Sequence, residues 1–158
     1  TATKTDSAAD ASADNSYADN TSDDIANVAD DAIDGNGGTY KMADANSLLG
    51  KCATVTHDSV MTGTGIYKTR LFTTTIDFGP DYCLCKDSIY RKGEIIIEHK
   101  KPKFIPGNYK KITFADFYTD SNQVSGMIKV TFDGTNAGKN YQQTKKDSIT
   151  ITLPGNER

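Results

Sequence analysis

The chain has no tryptophan, two histidines, three cysteines and four prolines, and each shortage closes off some chemistry. Without Trp, a sugar-stacking platform has to rest on tyrosine alone, and Tyr67, Tyr82, Tyr90, Tyr109, Tyr118 and Tyr141 are the candidates. Nucleophilic catalysis has only His57 and His99 as bases, each beside an acid, Asp58 and Glu98, on an expected strand. No nucleophile-elbow glycine pattern frames either histidine, and no catalytic residue is expected. A zinc site built from Cys52, His57, Cys83 and Cys85 would have Cys-x-Cys without a second pair. The acidic clusters Asp19 to Asp34 and Asp116 to Asp133 lack the regular spacing of a calcium loop, so solvated carboxylates are expected there, with no metal and no cofactor. No apolar run reaches bilayer length, so no spanning helix is expected. The sequence contains neither an initiator Met nor a signal peptide, and the expectation is either a start that has been processed away or a chain limited to its ordered part.

What is present is unevenly spread. A length of 158 residues suits one globular domain. Residues 1–50 hold ten Asp against Lys4 and Lys41, a net charge of −8, and residues 51–158 carry a net +5. Apolar residues concentrate after Leu48. Residues 1–20 are Ala, Asp, Ser and Thr without periodicity, the composition of a polar acidic tail. Such a tail becomes ordered only against a partner, a neighbouring subunit or its own domain.

From Thr21, Ile25, Val28, Ala29, Ala32 and Ile33 fall at helical spacing, with Thr21 or Ser22 as N-cap, acids in the first turn and Gly35 as stop. A short amphipathic helix and linker are therefore expected over 21–50, with a brief turn at Leu48-Leu49-Gly50. Over 51–158 the pattern is β throughout. Strands are expected at Cys52–His57, Arg70–Phe78, Glu94–Lys100, Lys110–Tyr118, Gln123–Phe132 and Ser148–Leu153, with turn chemistry between them. Gly63-Thr64-Gly65, Gly79-Pro80, Ile105 to Asn108, Asp120-Ser121-Asn122 and Asp133 to Asn136 are the expected loops. The fold class is mainly β, an antiparallel sandwich or meander. Phe72, Thr74, Ile76 and Phe78 should face the core, and Thr73, Thr75 and Asp77 water.

The stretch Thr75 to Glu98 organises the rest: two β-rich runs, Ile76 to Phe78 and Ile95 to Ile97, joined across Gly79-Pro80-Asp81 and Cys83-Leu84-Cys85. Cys83 to Cys85 would close a strained small ring. A Cys52–Cys83 disulfide would staple neighbouring strands, leave Cys85 as the odd thiol and place the chain in an oxidising compartment. Arg91, Lys92, Lys100, Lys101, Lys103, Lys110 and Lys111 make the middle of the domain basic. Lysines on turns and edge strands guard against edge-to-edge pairing, so no nucleic acid partner is expected.

Four tripeptides, Asp6-Ser7-Ala8, Asp58-Ser59-Val60, Asp87-Ser88-Ile89 and Asp147-Ser148-Ile149, resemble the O-glycosylation acceptor signal of Bacteroidota, against about one or two expected from composition. Ser7, Ser59, Ser88 and Ser148 are the candidate acceptors. Asn20-Thr21-Ser22 fits the N-glycosylation pattern. The segments CATVT from Cys52, TIDFG from Thr75, the Cys83 turn, RKGEIII from Arg91, Pro106-Gly107 and Val124 to Gly126 resemble a group of uncharacterised Bacteroidota surface lipoproteins over about residues 20 to 153. The resemblance implies export to the extracellular or outer-membrane surface and a lipid anchor upstream of Thr1. It also implies a chain that runs on past Arg158. The lipidated cysteine of that group is missing here. The function expected is a non-enzymatic structural or assembly protein, such as a surface-fibre subunit, joined to copies of itself or to another surface protein. The alternative is a monomeric module binding a glycan, peptide or membrane partner.

Overall fold

The computed structural model describes residues 8–34, 40–42, 51–100, 107–136 and 140–153. Ser7, Gly35, the Leu48 to Gly50 turn and Ile105-Pro106 lie outside the described residues. The elements are helix α1 (Ala8–Asp34) and strands β1 (Tyr40–Met42), β2 (Thr54–Thr62), β3 (Thr69–Asp77) and β4 (Cys83–Leu84). After these come β5 (Tyr90–Lys100), β6 (Tyr109–Thr119), β7 (Asn122–Asn136) and β8 (Asn140–Thr152). All neighbouring strands pair antiparallel in the order β1-β2-β3-β5-β6-β7-β8, with β4 attached to β5. Sequential order makes this sheet a meander, the second of the two expected architectures.

Six of the eight described strands overlap the expected ones, although β2 runs five residues past His57, β8 starts eight residues before Ser148, and β1 and β4 were not expected. Alternation puts Thr74, Ile76 and Phe78 in the core and leaves Asp77 in water. On the same face stand Val55, Ile95, Ile97, Ile112, Phe117, Val124 and Ile128, all buried. Helix α1 contributes Ile25, Val28, Ala29 and Ala32 to that core, at the spacing of one helical face. Each fully buried aliphatic side chain contributes roughly 1.5–3 kcal/mol.

Three expectations need correction. The helix begins at Ala8, so Ala8 to Asn20 of the expected tail is helical. Alanine has the highest helix propensity, and a helix nucleated by its docked half extends into an Ala-rich segment at little cost. Thr21 and Ser22 are accordingly buried in mid-helix rather than capping it, at 8% and 0% exposure. Second, Asp133 to Asn136 belongs to β7; the loop composition there coincides with a register break between Phe132 and Thr135. Third, Asp120 and Ser121 alone make the β6–β7 turn, both with positive φ (46° and 71°), the backbone sign of a two-residue hairpin turn.

A second bulge shapes the middle of the sheet. Pairing of β5 with β6 slips between Lys92 and Glu94, where Gly93 has φ +85° and its backbone lies against that of Asp116. The same glycine bonds across to the loop after β3, Gly93 N–H to Gly79 C=O at 2.8 Å and Phe78 N–H to Gly93 C=O at 2.9 Å.

Candidate functional site

The cysteines lie where the hairpin and the start of β2 meet. Cys52 precedes β2 and Cys83 opens β4, and the two form a disulfide with a Cα separation of 5.6 Å. Cys83 pairs with Arg91 and Leu84 with Tyr90, so the cross-link holds the short β4 segment against the sheet. Cys85 is free and buried. Burial pushes its thiol pKa up, and the neighbouring Arg91 only partly offsets this. A protonated, enclosed thiol is a poor nucleophile.

Arg91, one of the basic residues of the middle of the domain, is not on the surface. Its side chain is 1% exposed and lies between sheet and helix. Nη1 and Nη2 donate to the two carboxylate oxygens of Asp87 at 3.0 and 2.7 Å, and Nη2 donates also to Asp24 of α1 at 2.8 Å. Burial works against the guanidinium charge, but hydrogen bonds to Asp87, Cys85 and Asp24 outweigh it and hold its pKa above the ordinary arginine value. Lys110 is also buried and bridges to Asp30 on the same helix. Two half-buried carboxylates of the acidic cluster thus clamp α1 onto the sheet. Among the described residues, no group of three or more His, Cys, Asp or Glu is placed to hold a metal ion.

The structure joins the two histidines in a way that strand reading missed. His57 and His99 both point inward from strands flanking β3, and Thr74 of β3 stands between them. Its hydroxyl lies 2.9 Å from His57 Nδ1 and 3.3 Å from His99 Nε2. Phe72 stacks on the His99 ring at 5.5 Å. The adjacent acids are not partners, because neighbouring residues on a strand face opposite ways. Glu98 instead pairs with Lys111 at 2.8 Å, raising the lysine pKa through that hydrogen bond. Thr74 has 0% exposure, so its hydroxyl is enclosed where it meets the two imidazoles. No local sequence signal marks this trio; the registers of β2 and β5 on β3 bring it together.

Water-facing cations and tyrosines meet on the opposite face. Lys92 lies over the rings of Tyr82 and Tyr118 at 4.6 and 4.5 Å, and Lys100 and Lys129 flank Tyr109 at 5.4 and 4.8 Å. These ring faces are already engaged by ammonium groups, which weakens them as sugar-stacking surfaces. Tyr90 is exposed, whereas the side chains of Tyr67 and Tyr141 lie outside the described residues.

Of the candidate glycan acceptors, Ser88 is exposed in the turn after β4, with φ 67°, and Ser148 is exposed on β8. Ser59 is half-buried, and its hydroxyl accepts a hydrogen bond from Arg70 Nη1 at 3.0 Å. Asn20-Thr21-Ser22 sits within α1 with Ser22 fully enclosed, not in the surface loop that an N-linked acceptor requires.

The remaining feature is an edge. β8 ends the strand order, runs for 13 residues and pairs with β7 from Gln123↔Thr152 to Asn136↔Asn140. Among the described residues, no strand lies along its outer side. Comparison with protein-family models, with curated proteins and with solved structures returns no match.

Proposed function

We propose that this chain is a non-enzymatic assembly protein of the cell exterior, a subunit that joins its copies through the outer edge of β8. The observation carrying the reading is the length of that terminal strand, 13 residues in an open meander. A strand edge offers a row of main-chain donors and acceptors, and an added strand supplies affinity without a pocket. Tail docking, the other expected contact, has less support. Ala8 to Asn20 is part of the helix, and Asn122 Nδ2 donates to Tyr17 Oη, tying that helix to its own sheet. The Cys52–Cys83 disulfide favours an oxidising compartment, and the same compartment would expose Ser88 and Ser148 to glycan transfer. An upstream lipid anchor would fit this location.

Consecutive residues of an edge strand direct their N–H groups alternately toward the paired strand and away from it. One of the pair Ile149→Pro and Thr150→Pro therefore removes an outward donor, and the other an inward one. The outward variant should keep its thermal transition but lose concentration-dependent assembly in sedimentation velocity. A full chain that stays monomeric at every concentration, or a folded proline variant at each position that assembles like the parent, would sink the proposal.

A further inference from the structure

We infer that the β2–β3 hairpin tip is a membrane finger, with Ile66 entering the interfacial layer of a bilayer that carries anionic lipids. Among the described residues, the two strands outrun their neighbour. Pairing of β3 with β5 ends at Leu71↔Lys100, whereas β2 and β3 stay paired to Thr62↔Thr69. On this overhang Met61 lies opposite Arg70, and Val60 lies opposite Leu71 on the other face. Apolar side chains therefore occur on both faces of this ribbon. Val60 and Met61 are 52% and 55% exposed, and Ile66, in the 3-10 turn Gly65–Tyr67 at the apex, is 91% exposed. Gly63 and Gly65, with φ of 92° and 63°, allow the chain to reverse so that Ile66 projects outward.

Charge selects the partner. From Ser59 to Ile76 the chain has no acidic residue, while Lys68 and Arg70 follow Ile66 closely and are both exposed. The nearest carboxylate along the chain, Asp58, accepts from the Ser59 N–H at the base of the ribbon. An apolar apex with cations one turn behind it matches a layer of acyl chains beneath phosphate headgroups. This surface belongs to strands at the opposite end of the sheet order from β8. Loss of edge assembly and loss of membrane contact are therefore separate outcomes.

The chain has no Trp, so Ile66→Trp makes the full chain its own reporter. With vesicles of equal phosphatidylglycerol and phosphatidylcholine, its emission should shift to the blue and be quenched by brominated acyl chains. Ile66→Asp should weaken flotation with those vesicles by about tenfold or more, the factor expected for losing one buried aliphatic side chain. Lys68→Glu combined with Arg70→Glu should also abolish the preference over pure phosphatidylcholine, and added salt should weaken binding by the parent. Thermal transitions of all variants should match the parent, because the substituted residues lie outside the core. Unshifted emission with vesicles, or parental flotation of Ile66→Asp, overturns the inference. Equal binding to neutral vesicles overturns the headgroup assignment. A blue shift that depends on protein concentration without lipid assigns the tip to a second copy instead.

Discussion

Arg91 is the most consequential single side chain, because one guanidinium serves a carboxylate on its own strand turn and another on the helix. Arg91→Ala would leave Asp24 and Asp87 facing each other without a cation. Breaking a buried pair of this kind costs about 3–5 kcal/mol, measurable as a lower midpoint in urea. Arg91→Lys should recover only part of the loss, since an ammonium cannot reproduce the two-pronged bond to Asp87. Cys85 makes a complementary prediction. Its folded-state pKa lies above the ordinary 9.0, so the folded chain holds the proton more tightly than the unfolded one. The resulting stabilisation is complete below that ordinary value and fades as pH rises through the folded value. Alkylation at pH 8 should therefore be at least about tenfold slower in the native state than in denaturant, as mass spectrometry of the trapped thiol would show.

At the scale of elements, two devices set the shape of the sheet. An alanine Cβ at Gly93 would lie 2.0 Å from the Asp116 carbonyl oxygen, whereas at Gly65 nothing lies within 4 Å. Both have positive φ, so Gly65→Ala reports the backbone cost alone, about 1 kcal/mol. Gly93→Ala adds a backbone collision at the β5–β6 bulge and should exceed it by about 2 kcal/mol or more in denaturant titration. The disulfide is the other device. It spans a sequence separation of 31 residues, for which the chain-entropy relation gives about 3–4 kcal/mol. Reduction should lower stability by about that amount, released first around β4, which pairs over only two residues; hydrogen exchange would locate the loss.

For the whole molecule, the question is what the amino-terminal segment does. Among the described side chains of α1 the buried stripe starts at Thr21, so deleting Thr1 to Asn20 leaves that stripe in place. The truncated chain should fold with a loss of about 1 kcal/mol, the net worth of the Tyr17–Asn122 bond. It should also assemble like the full chain, because the β8 edge is intact. Sedimentation velocity on the truncated chain checks both the fold and the edge reading, and loss of assembly would return the contact to the tail.

Hydrophobic period and turn residues by themselves determined six strands, the inward face of β3 and the docked half of the helix. These are local signals, carried by Ile76, Ile95 and the Asp120-Ser121 turn within a few residues. The Cys52–Cys83 pairing was legible in part: spacing disfavours the small Cys83–Cys85 ring, and the fold, which buries Cys85 as a free thiol, decides which of the two joins Cys52. Tertiary structure alone decided the rest. Alanines without an apolar stripe do not announce a helix until a docked neighbour nucleates it. Arg91 and Lys110 look like surface charges in sequence, since their burial depends on Asp24 and Asp30, partners 67 and 80 residues away. His57, Thr74 and His99 meet only because two strand registers align them, and no residue type or spacing along one strand encodes a register shared by three.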